Sequence, residues 1–436
     1  MSQGTAQGLR ACDSLSPAAP TVGTTVSTAK DYVQSRRQHG TNGPNLRGRR
    51  PRILTIVGTR PEAIKMLPLI RGLRANPEFE VVSIATGQHR EMLNQVFATF
   101  GEKPDVNLDL MTENQTLTGL TSSVLNRMAE VYTVHKPDFV LVQGDTTTAM
   151  AAAVAAFYSR IPVGHVEAGL RSGDLGHPWP EEFNRVTIDS IADLLFAPTE
   201  SAKINLCKEY NRTGDIYVTG NTGIDSLFLA REIVEQDAQR KWNLDSRYEF
   251  LDRNKRLILV TGHRRENIGL GLENICDALL RITARDDVQI LYPVHLNPNV
   301  RNTVMVKLRS RTNIHLIDPV DFLDMVYLMG RAYLIITDSG GIQEEGPSLG
   351  KPVLVTRNTT ERPEAVLTGN VRVVGIDANV IYQEAVALLD DACLYSERAH
   401  PVFPYGDGKA SGRIIRILAK RLAPERHGSC GRSVVR

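Results

Sequence analysis

The chain has 436 residues, more than one hydrophobic core ordinarily holds, so two domains of ordinary size are expected. With 42% hydrophobic and 23% charged residues its composition is that of a globular protein, and the net charge of +2 gives no reason to expect nucleic acid or an anionic membrane as a partner. The five cysteines are scattered without metal-ligand spacing, and no apolar run reaches about 20 residues. A cytoplasmic protein with no membrane span, metal site or disulfide framework is therefore predicted.

Ordered structure is predicted to begin near residue 51. The preceding residues, 1–50, are rich in Gly, Ser, Thr and Arg without apolar periodicity, and we interpret them as a disordered extension. The run ILTIVG then predicts a buried strand followed by a helix, in which Pro68 should cause a kink or mark the end. Further strand–helix units of the first half begin with the runs FEVVSIAT, DFVLVQGD, PVGHVEA, DLLFAPT and DIYVTG.

A second series of strands begins with RLILVTG at Arg256, after a polar helical stretch, and continues with VQILYPV, IHLID, YLIITD and KPVLVT. Buried strands that alternate with helices predict parallel sheets covered on both faces. The predicted fold class is therefore α/β, with two Rossmann-like domains facing a central cleft. We place these domains at residues 51–222 and 223–409. The amphipathic segment 410–422 should cross back onto the first domain, and residues 423–436 are predicted to be a flexible tail.

Carboxylates follow several predicted strands of the first domain, at the sheet edge where parallel α/β proteins bind ligands. Asp145 and Glu167 each come directly after a strand, and Glu181 lies in the loop that follows. A helix N-cap, or an ion pair with Arg171 or Arg185, would account for any one of these acids. Charged groups are costly to bury unless they are paired or functional, so three acids at one edge favour a shared site.

Candidate anion-binding groups follow strands in both domains. Arg60 suits bidentate phosphate recognition, and Lys65 adds a charge one helical turn later. In the second domain a Ser-Gly-Gly sequence precedes a helix, whose N–H groups and dipole favour a diphosphate. The structural alternatives are a tight turn for the Ser-Gly-Gly sequence, a favourable first-turn charge for the acids that follow it, a surface ion pair for Arg362 and a solvated helix face for Lys65. The anion-binding candidates of the second domain are His263, Arg264, Ser339, Gly340, Gly341 and Arg362. Glu344 or Glu345, about one helical turn further on, could instead accept hydrogen bonds from the hydroxyls of a ribose.

These residues lie in blocks that resemble the non-hydrolysing UDP-N-acetylglucosamine 2-epimerases over nearly all of residues 52–422. The matching blocks are GTRPEAIKMLPLI, TGQHREML, QGDTTTAMAA, IPVGHVEAGLRSGD, PWPEEFNR, TGNTGID, TGHRREN, YPVHLNPNV, TDSGGIQEE, GKPVLV, TTERPEAV and PYGDG. Their order and spacing make the match specific. The resemblance implies a GT-B-like fold, a homodimer, UDP-N-acetylglucosamine as substrate, and no metal or nicotinamide cofactor.

The resemblance also implies roles for individual residues. The implied catalytic groups are Asp145, Glu167, Glu181 and His263. The implied substrate contacts are Arg60, Lys65, Asp145, Glu167 and His263, with Ser339, Gly340, Gly341, Glu345 and Arg362 at the UDP site. Gln88 and His89 match positions near a regulatory second UDP-N-acetylglucosamine site in bacterial members.

The implied reaction is reversible inversion at C2 to give UDP-N-acetylmannosamine. Because the C2 proton is not acidic enough for simple removal and return, UDP is eliminated to leave a 2-acetamidoglucal and is then added back. Asp145 and Glu181 form the leading acid/base pair, with Glu167 orienting the sugar or sharing the proton transfer. Three alternatives stay open: a hydrolysing epimerase that releases N-acetylmannosamine and UDP, a GT-B glycosyltransferase, and a non-catalytic UDP-sugar-binding regulator.

Overall fold

The structure is a computed structural model that describes residues 49–87, 90–110, 115–209, 214–262, 264 and 267–423. The predicted N-terminal extension and C-terminal tail lie almost entirely outside these residues.

The first half of the chain forms a parallel sheet with helices on both faces. Its seven strands within the described residues have the order β3-β2-β1-β4-β5-β6-β7. The strands are β1 (Arg52–Val57), β2 (Glu80–Ala85), β3 (Val106–Asn107), β4 (Phe139–Gln143), β5 (Val163–Val166), β6 (Leu194–Ala197) and β7 (Asp215–Val218). The helices are α1 (Arg60–Ala75), α2 (Arg90–Thr99), α3 (Leu117–His135), α4 (Thr147–Tyr158), α5 (Glu181–Ile191) and α6 (Glu200–Lys208). We call this part the first lobe.

The second half forms another parallel sheet, here called the second lobe. The described part of it has six strands in the order β10-β9-β8-β11-β12-β13. They are β8 (Arg256–Thr261), β9 (Val288–Pro293), β10 (Ile314–Ile317), β11 (Leu334–Thr337), β12 (Val353–Val355) and β13 (Val371–Val373). The helices after β7 are α7 (Thr222–Gln236), α8 (Ala238–Arg247), α9 (Leu270–Ile282), α10 (Pro298–Leu308), α11 (Phe322–Arg331), α12 (Gly340–Ser348), α13 (Pro363–Leu367), α14 (Ala378–Asp390), α15 (Ala392–Arg398) and α16 (Ala410–Leu422). The predicted α/β class with two parallel-sheet domains is confirmed.

The inner faces of the two sheets share one apolar core. It contains residues of β1 and α1 in the first lobe, of β8 and α11 in the second, and of α16 at the end of the chain. Helix α16 packs directly on α1, where a Cβ atom at Gly72 would lie 2.5 Å from Ile415 Cδ1. A larger residue at this helix crossing would therefore force the Ile415 side chain to shift. Separate apolar clusters cover the outer face of each sheet.

Helix α1 does not end at Pro68 but continues through it to Ala75. Proline has no N–H group, so the carbonyl of Ile64, four residues earlier, loses its usual helical partner. Ser226 of α7 replaces that partner, because its hydroxyl donates a hydrogen bond of 2.5 Å to Ile64 O. This hydrogen bond thus links α1 to α7, the helix that begins where the chain leaves the first sheet.

Candidate functional site

A cavity of about 260 Å³ lies between the carboxyl edges of the two sheets. The first lobe contributes the ends of β4 and β5, part of α1 and the start of α5, and the second lobe contributes arginines after β8 and β12. Its polar lining is charged. The charged lining residues are Lys65, Asp145, Glu167, Glu181, Arg185, Arg264, Glu361 and Arg362.

Glu167 is held by several donors at once. It follows β5 with φ of 72°, a left-handed conformation that is uncommon outside glycine. Lys65 Nζ lies 2.6 and 2.8 Å from its two carboxylate oxygens, Asn221 Nδ2 donates to Oε1 at 3.0 Å, and Gln143 donates to Oε2. Burial alone would raise the pKa of Glu167, but the Lys65 ammonium and these hydrogen bonds lower it. Glu167 is therefore a fixed, ionised carboxylate.

Asp145 lies in the turn after β4, and two side chains hold this turn in place through hydrogen bonds to its backbone carbonyl groups. The imidazole Nε2 of His165 lies 2.7 Å from the carbonyl oxygen of Gly144, and Asn184 Nδ2 donates to the carbonyl of Asp145 at 2.8 Å. The Asp145 carboxylate is paired with Arg185 and faces the cavity. The ion pair that is the structural alternative is present, yet it lies inside the cavity, where a ligand would meet both groups.

Glu181 and Glu182 are neighbours with different environments. Glu182 is almost fully buried and accepts hydrogen bonds from the N–H groups of Ser172 and Gly173 at 3.0 and 3.1 Å, so it holds the loop that precedes α5. Glu181 lines the cavity, and its Oε2 atom is buried without a hydrogen-bond partner. A buried oxygen without a partner is costly unless a ligand supplies one. Glu181 is therefore the acid of this pair that is available to a substrate.

The second lobe presents an anion-binding wall at the start of α12. Ser339 is the N-cap of this helix, and Gly340 is its first residue. A Cβ atom at Gly340 would lie 3.7 Å from Arg362 Nη2 and 3.9 Å from Arg264 Nη2, so two guanidinium groups approach the helix N-terminus. A helix N-terminus beside two arginines is suited to a diphosphate.

Glu344 and Glu345 on α12 also differ. Arg362 Nε lies 2.5 Å from Glu344 Oε1, and Asn221 Nδ2 donates to the other oxygen at 2.7 Å. Both carboxylate oxygens of Glu344 therefore already accept hydrogen bonds from protein groups. Burial and the neighbouring Glu344 carboxylate raise the pKa of Glu345 to about 7. Of the two, Glu345 is the one left to contact a ligand such as a ribose.

The structure brings together Lys65, Asp145, Glu167, Glu181 and Arg362 around the cavity. Arg60 lies at the boundary between the lobes, where its Nη2 donates to the carbonyl of the second-lobe residue Val320 at 3.3 Å. Ser339, Gly340, Gly341 and Glu345 lie on the adjoining helix α12 or at its cap. His263, Gln88 and His89 lie outside the described residues.

Sequence reasoning assigned no role to Gln143 or Asn221, whereas Arg264 was a candidate for the phosphate and does line the cavity. Gln143 is the last residue of β4, Arg264 follows β8 and Asn221 follows β7. The signal that identified the acids, a polar residue at the end of an apolar strand, was therefore present at all three.

Neither a metal-ligand cluster nor a membrane-spanning helix is found among the residues that the structure describes. No group of three or more His, Cys, Asp and Glu side chains there could hold a metal ion. No described helix is long and apolar enough to cross a bilayer.

Comparison with known proteins gives consistent matches. The family model described as UDP-N-acetylglucosamine 2-epimerase matches residues 71–419. A UDP-N-acetylglucosamine 2-epimerase of Yersinia pestis is 53% identical over 368 residues, which cover 84% of this chain and 98% of the relative. The crystal structure of UDP-GlcNAc 2-epimerase from Neisseria meningitidis bound to UDP-GlcNAc has a TM-score of 0.80 and 45% identity, covering 85% of this chain and 100% of that one. A glycosyltransferase from Rickettsia africae, with 15% identity, a TM-score of 0.56 and coverage of 86% and 99%, shares the fold alone.

Proposed function

The chain belongs to the family of UDP-N-acetylglucosamine 2-epimerases, and on this basis we propose that it interconverts UDP-N-acetylglucosamine and UDP-N-acetylmannosamine without hydrolysis. The observation that carries the proposal is the cavity between the lobes. It combines carboxylates from the first lobe with arginines and a helix N-terminus from the second. Such a site can exchange protons on a sugar ring while it holds a diphosphate.

The proposed reaction is an elimination followed by the reverse addition. A carboxylate removes the C2 proton, the C–H electron pair forms the C1–C2 double bond, and UDP leaves from C1 with the pair of the broken C–O bond. UDP then adds back to C1 as a proton is delivered to C2 on the opposite face. Atoms and electrons balance without an outside oxidant, and the reaction requires proton-exchanging groups on both faces of the ring.

The contacts of the three acids favour a division of roles. Glu167 is ionised and each of its oxygens accepts hydrogen bonds from two donors among Lys65, Gln143 and Asn221, so a proton on either oxygen would compete with contacts already made there. Its role is to orient the sugar. Asp145 and Glu181 face the cavity with far fewer partners, and they are the proposed acid/base pair.

The departing diphosphate is stabilised by the wall of the second lobe. Arg264 and Arg362 supply fixed positive charge, and the N–H groups at the start of α12 supply donors. Arg60 and His263 stay predicted diphosphate ligands. A homodimer, and a regulatory nucleotide site near Gln88 and His89, also stay predictions from the family resemblance.

The first test is proton NMR of the purified protein with UDP-N-acetylglucosamine in D2O. Deuterium at C2 together with intact UDP-N-acetylmannosamine is the expected result. Free N-acetylmannosamine with UDP would instead identify a hydrolysing enzyme. Saturable binding without exchange at C2 would contradict both and indicate a transferase that lacks its acceptor, or a binding protein.

A substitution at Glu181 tests the role assignment. Glu181→Gln should slow C2 exchange by about a hundredfold or more, the range of general acid–base catalysis, while the Kd for UDP stays within about threefold of the wild-type value. Glu182→Gln is the structural comparison: that carboxylate holds loop N–H groups and also pairs with Arg185, so its loss should lower the Tm, which Glu181→Gln should not. Near-normal exchange in Glu181→Gln would remove this residue from the mechanism.

A further inference from the structure

Asn221 joins two buried carboxylates from different lobes. It follows β7, immediately before α7, and is only 2% exposed. Its side-chain Nδ2 donates to Glu167 Oε1 at 3.0 Å and to Glu344 Oε2 at 2.7 Å, while its Oδ1 accepts from the N–H of Gly223 at 2.9 Å. Ionised carboxylates only accept hydrogen bonds and a backbone N–H only donates, so these partners fix the orientation of the amide.

The two carboxylates also have one cation each, which extends the contacts across the cleft. Lys65 pairs with Glu167 at 2.6 Å, and Arg362 pairs with Glu344 at 2.5 Å. The result is a continuous row of side chains from Lys65 through Glu167, Asn221 and Glu344 to Arg362. Both ends of this row, and Glu167 within it, line the cavity.

The amide at the centre of the row has an energetic role. Glu167 and Glu344 are both buried, and two buried carboxylates that approach a common point repel each other unless donors lie between them. Both N–H bonds of the Asn221 amide are used for this purpose. Hydrogen bonds to charged groups are stronger than those between neutral groups, so this contact resists displacement.

We infer that Asn221 is a positioning residue that holds the sugar-orienting Glu167 in register with the diphosphate-binding Arg362 on the opposite lobe. The inference rests on the proposed function. It adds a physical connection between the two halves of the site. A diphosphate that binds Arg362 would affect the position of its partner Glu344, and Asn221, which is hydrogen-bonded to both carboxylates, would transmit that change to Glu167. Without this amide the two walls of the cavity are held separately.

The Asn221 side chain also caps α7, and the two roles can be separated. Capping requires only an acceptor, which serine or aspartate supplies. Joining the carboxylates requires the NH₂ group, which neither residue has. Asn221→Ser and Asn221→Asp therefore keep the cap and remove the bridge, and the aspartate adds a third negative charge.

The first measurement is kcat and KM for C2 epimerisation by these variants, with UDP binding stoichiometry from calorimetry as the count of folded sites. Asn221→Ser should lower kcat by about tenfold or more, which is the expected effect of losing hydrogen bonds to a charged group. Its UDP binding stoichiometry should stay near one, and its KM should change by less than about threefold. Asn221→Asp should lower kcat further; if it does not fold, Asn221→Ser alone carries the test. The matched control is Asn297→Ser at the N-cap of α10, where Asn297 Oδ1 accepts from Asn299 N at 3.0 Å, and both constants should stay unchanged.

A double-mutant cycle with Glu344→Gln tests the connection itself. If Asn221 acts through the row, the loss of kcat in Asn221→Ser/Glu344→Gln should be clearly smaller than the product of the two single losses. Single losses that multiply, or a wild-type kcat in Asn221→Ser, would overturn the inference while the wild-type enzyme remains active. A wild-type protein that shows no C2 exchange would instead overturn the proposed function, and the inference with it.

Discussion

Replacing Lys65 with methionine should destabilise the first lobe by leaving Glu167 without its counter-ion. Methionine keeps much of the apolar stem of lysine but removes the ammonium group. The Lys65 and Glu167 side chains are 24% and 6% exposed, and Nζ lies 2.6 Å from Oε1. Breaking a buried ion pair by removing one partner costs about 3–5 kcal/mol, and since Gln143 and Asn221 still donate, we expect about 3 kcal/mol.

The pH dependence gives a second signature of this loss. The folded state lowers the pKa of Glu167 below its unfolded value, so the carboxylate contributes stability above the unfolded pKa that is lost as the pH falls through the folded one. In Lys65→Met the ammonium group is missing while Glu167 stays buried, so the protonated form of Glu167 is favoured. The difference in unfolding free energy between variant and wild type should therefore be largest near pH 7.5 and shrink towards pH 4.5.

Urea unfolding followed by circular dichroism measures this difference. The double variant Lys65→Met/Glu167→Gln should recover part of the lost stability, because no buried charge is left unpaired. Lys203→Met is the matched control: Lys203 Nζ lies 3.2 Å from Glu200 on the surface, and such exposed pairs contribute about 0–1 kcal/mol. A loss below about 1 kcal/mol in Lys65→Met, or no recovery in the double variant, would refute the reasoning.

Two further predictions concern the anion-binding wall of the second lobe. The pKa of Glu345 is raised to about 7, and an anionic diphosphate nearby should raise this pKa further. UDP binding should therefore take up a proton and weaken as the pH rises above 7. Calorimetry in buffers of different ionisation enthalpy measures this proton uptake, and Glu345→Gln should abolish it. A Cβ atom at Gly340 would lie 3.7 Å from Arg362 Nη2, an ordinary contact, so Gly340→Ala should keep the wild-type Tm. The added methyl group should nevertheless raise the Kd for UDP by about tenfold, because it occupies the approach to the helix N–H groups, and an unchanged Kd would place the diphosphate elsewhere.

The strands that the sequence predicted are those buried on both faces. Continuous apolar runs such as ILTIVG have few alternatives to a central parallel strand, and β1, β4, β8 and β11 match them to within one or two residues. Strands β3 and β13 were missed. They contain only two and three residues and lie at the sheet edges, and of their side chains only Val371 is buried, so no apolar run marks them.

The site was predictable at the level of the sheet edge but not of the individual atom. Position after a buried strand identified Asp145 and Glu167, because parallel strands bring their carboxyl ends together. Adjacent acids could not be separated in this way. Glu181 differs from Glu182, and Glu344 from Glu345, only because successive helical residues point about 100° apart and meet different neighbours.

The contacts around the acids also give the carboxylates of one cavity unlike environments, which is the basis of the roles proposed for them. A carboxylate that accepts from an ammonium group and two amides is stabilised as the anion, since protonation would forfeit these contacts; this is the environment of Glu167. Glu181 has a buried oxygen that no protein group satisfies, and Asp145 is paired with one arginine. The three acids therefore differ in how many protein groups already satisfy their oxygens, and within the described part of the chain only Glu167 has donors on both oxygens. Because Lys65 and Asn221 create that difference at Glu167, substitutions at either residue should affect this proposed orienting acid first and the proposed acid/base pair, Asp145 and Glu181, only through it.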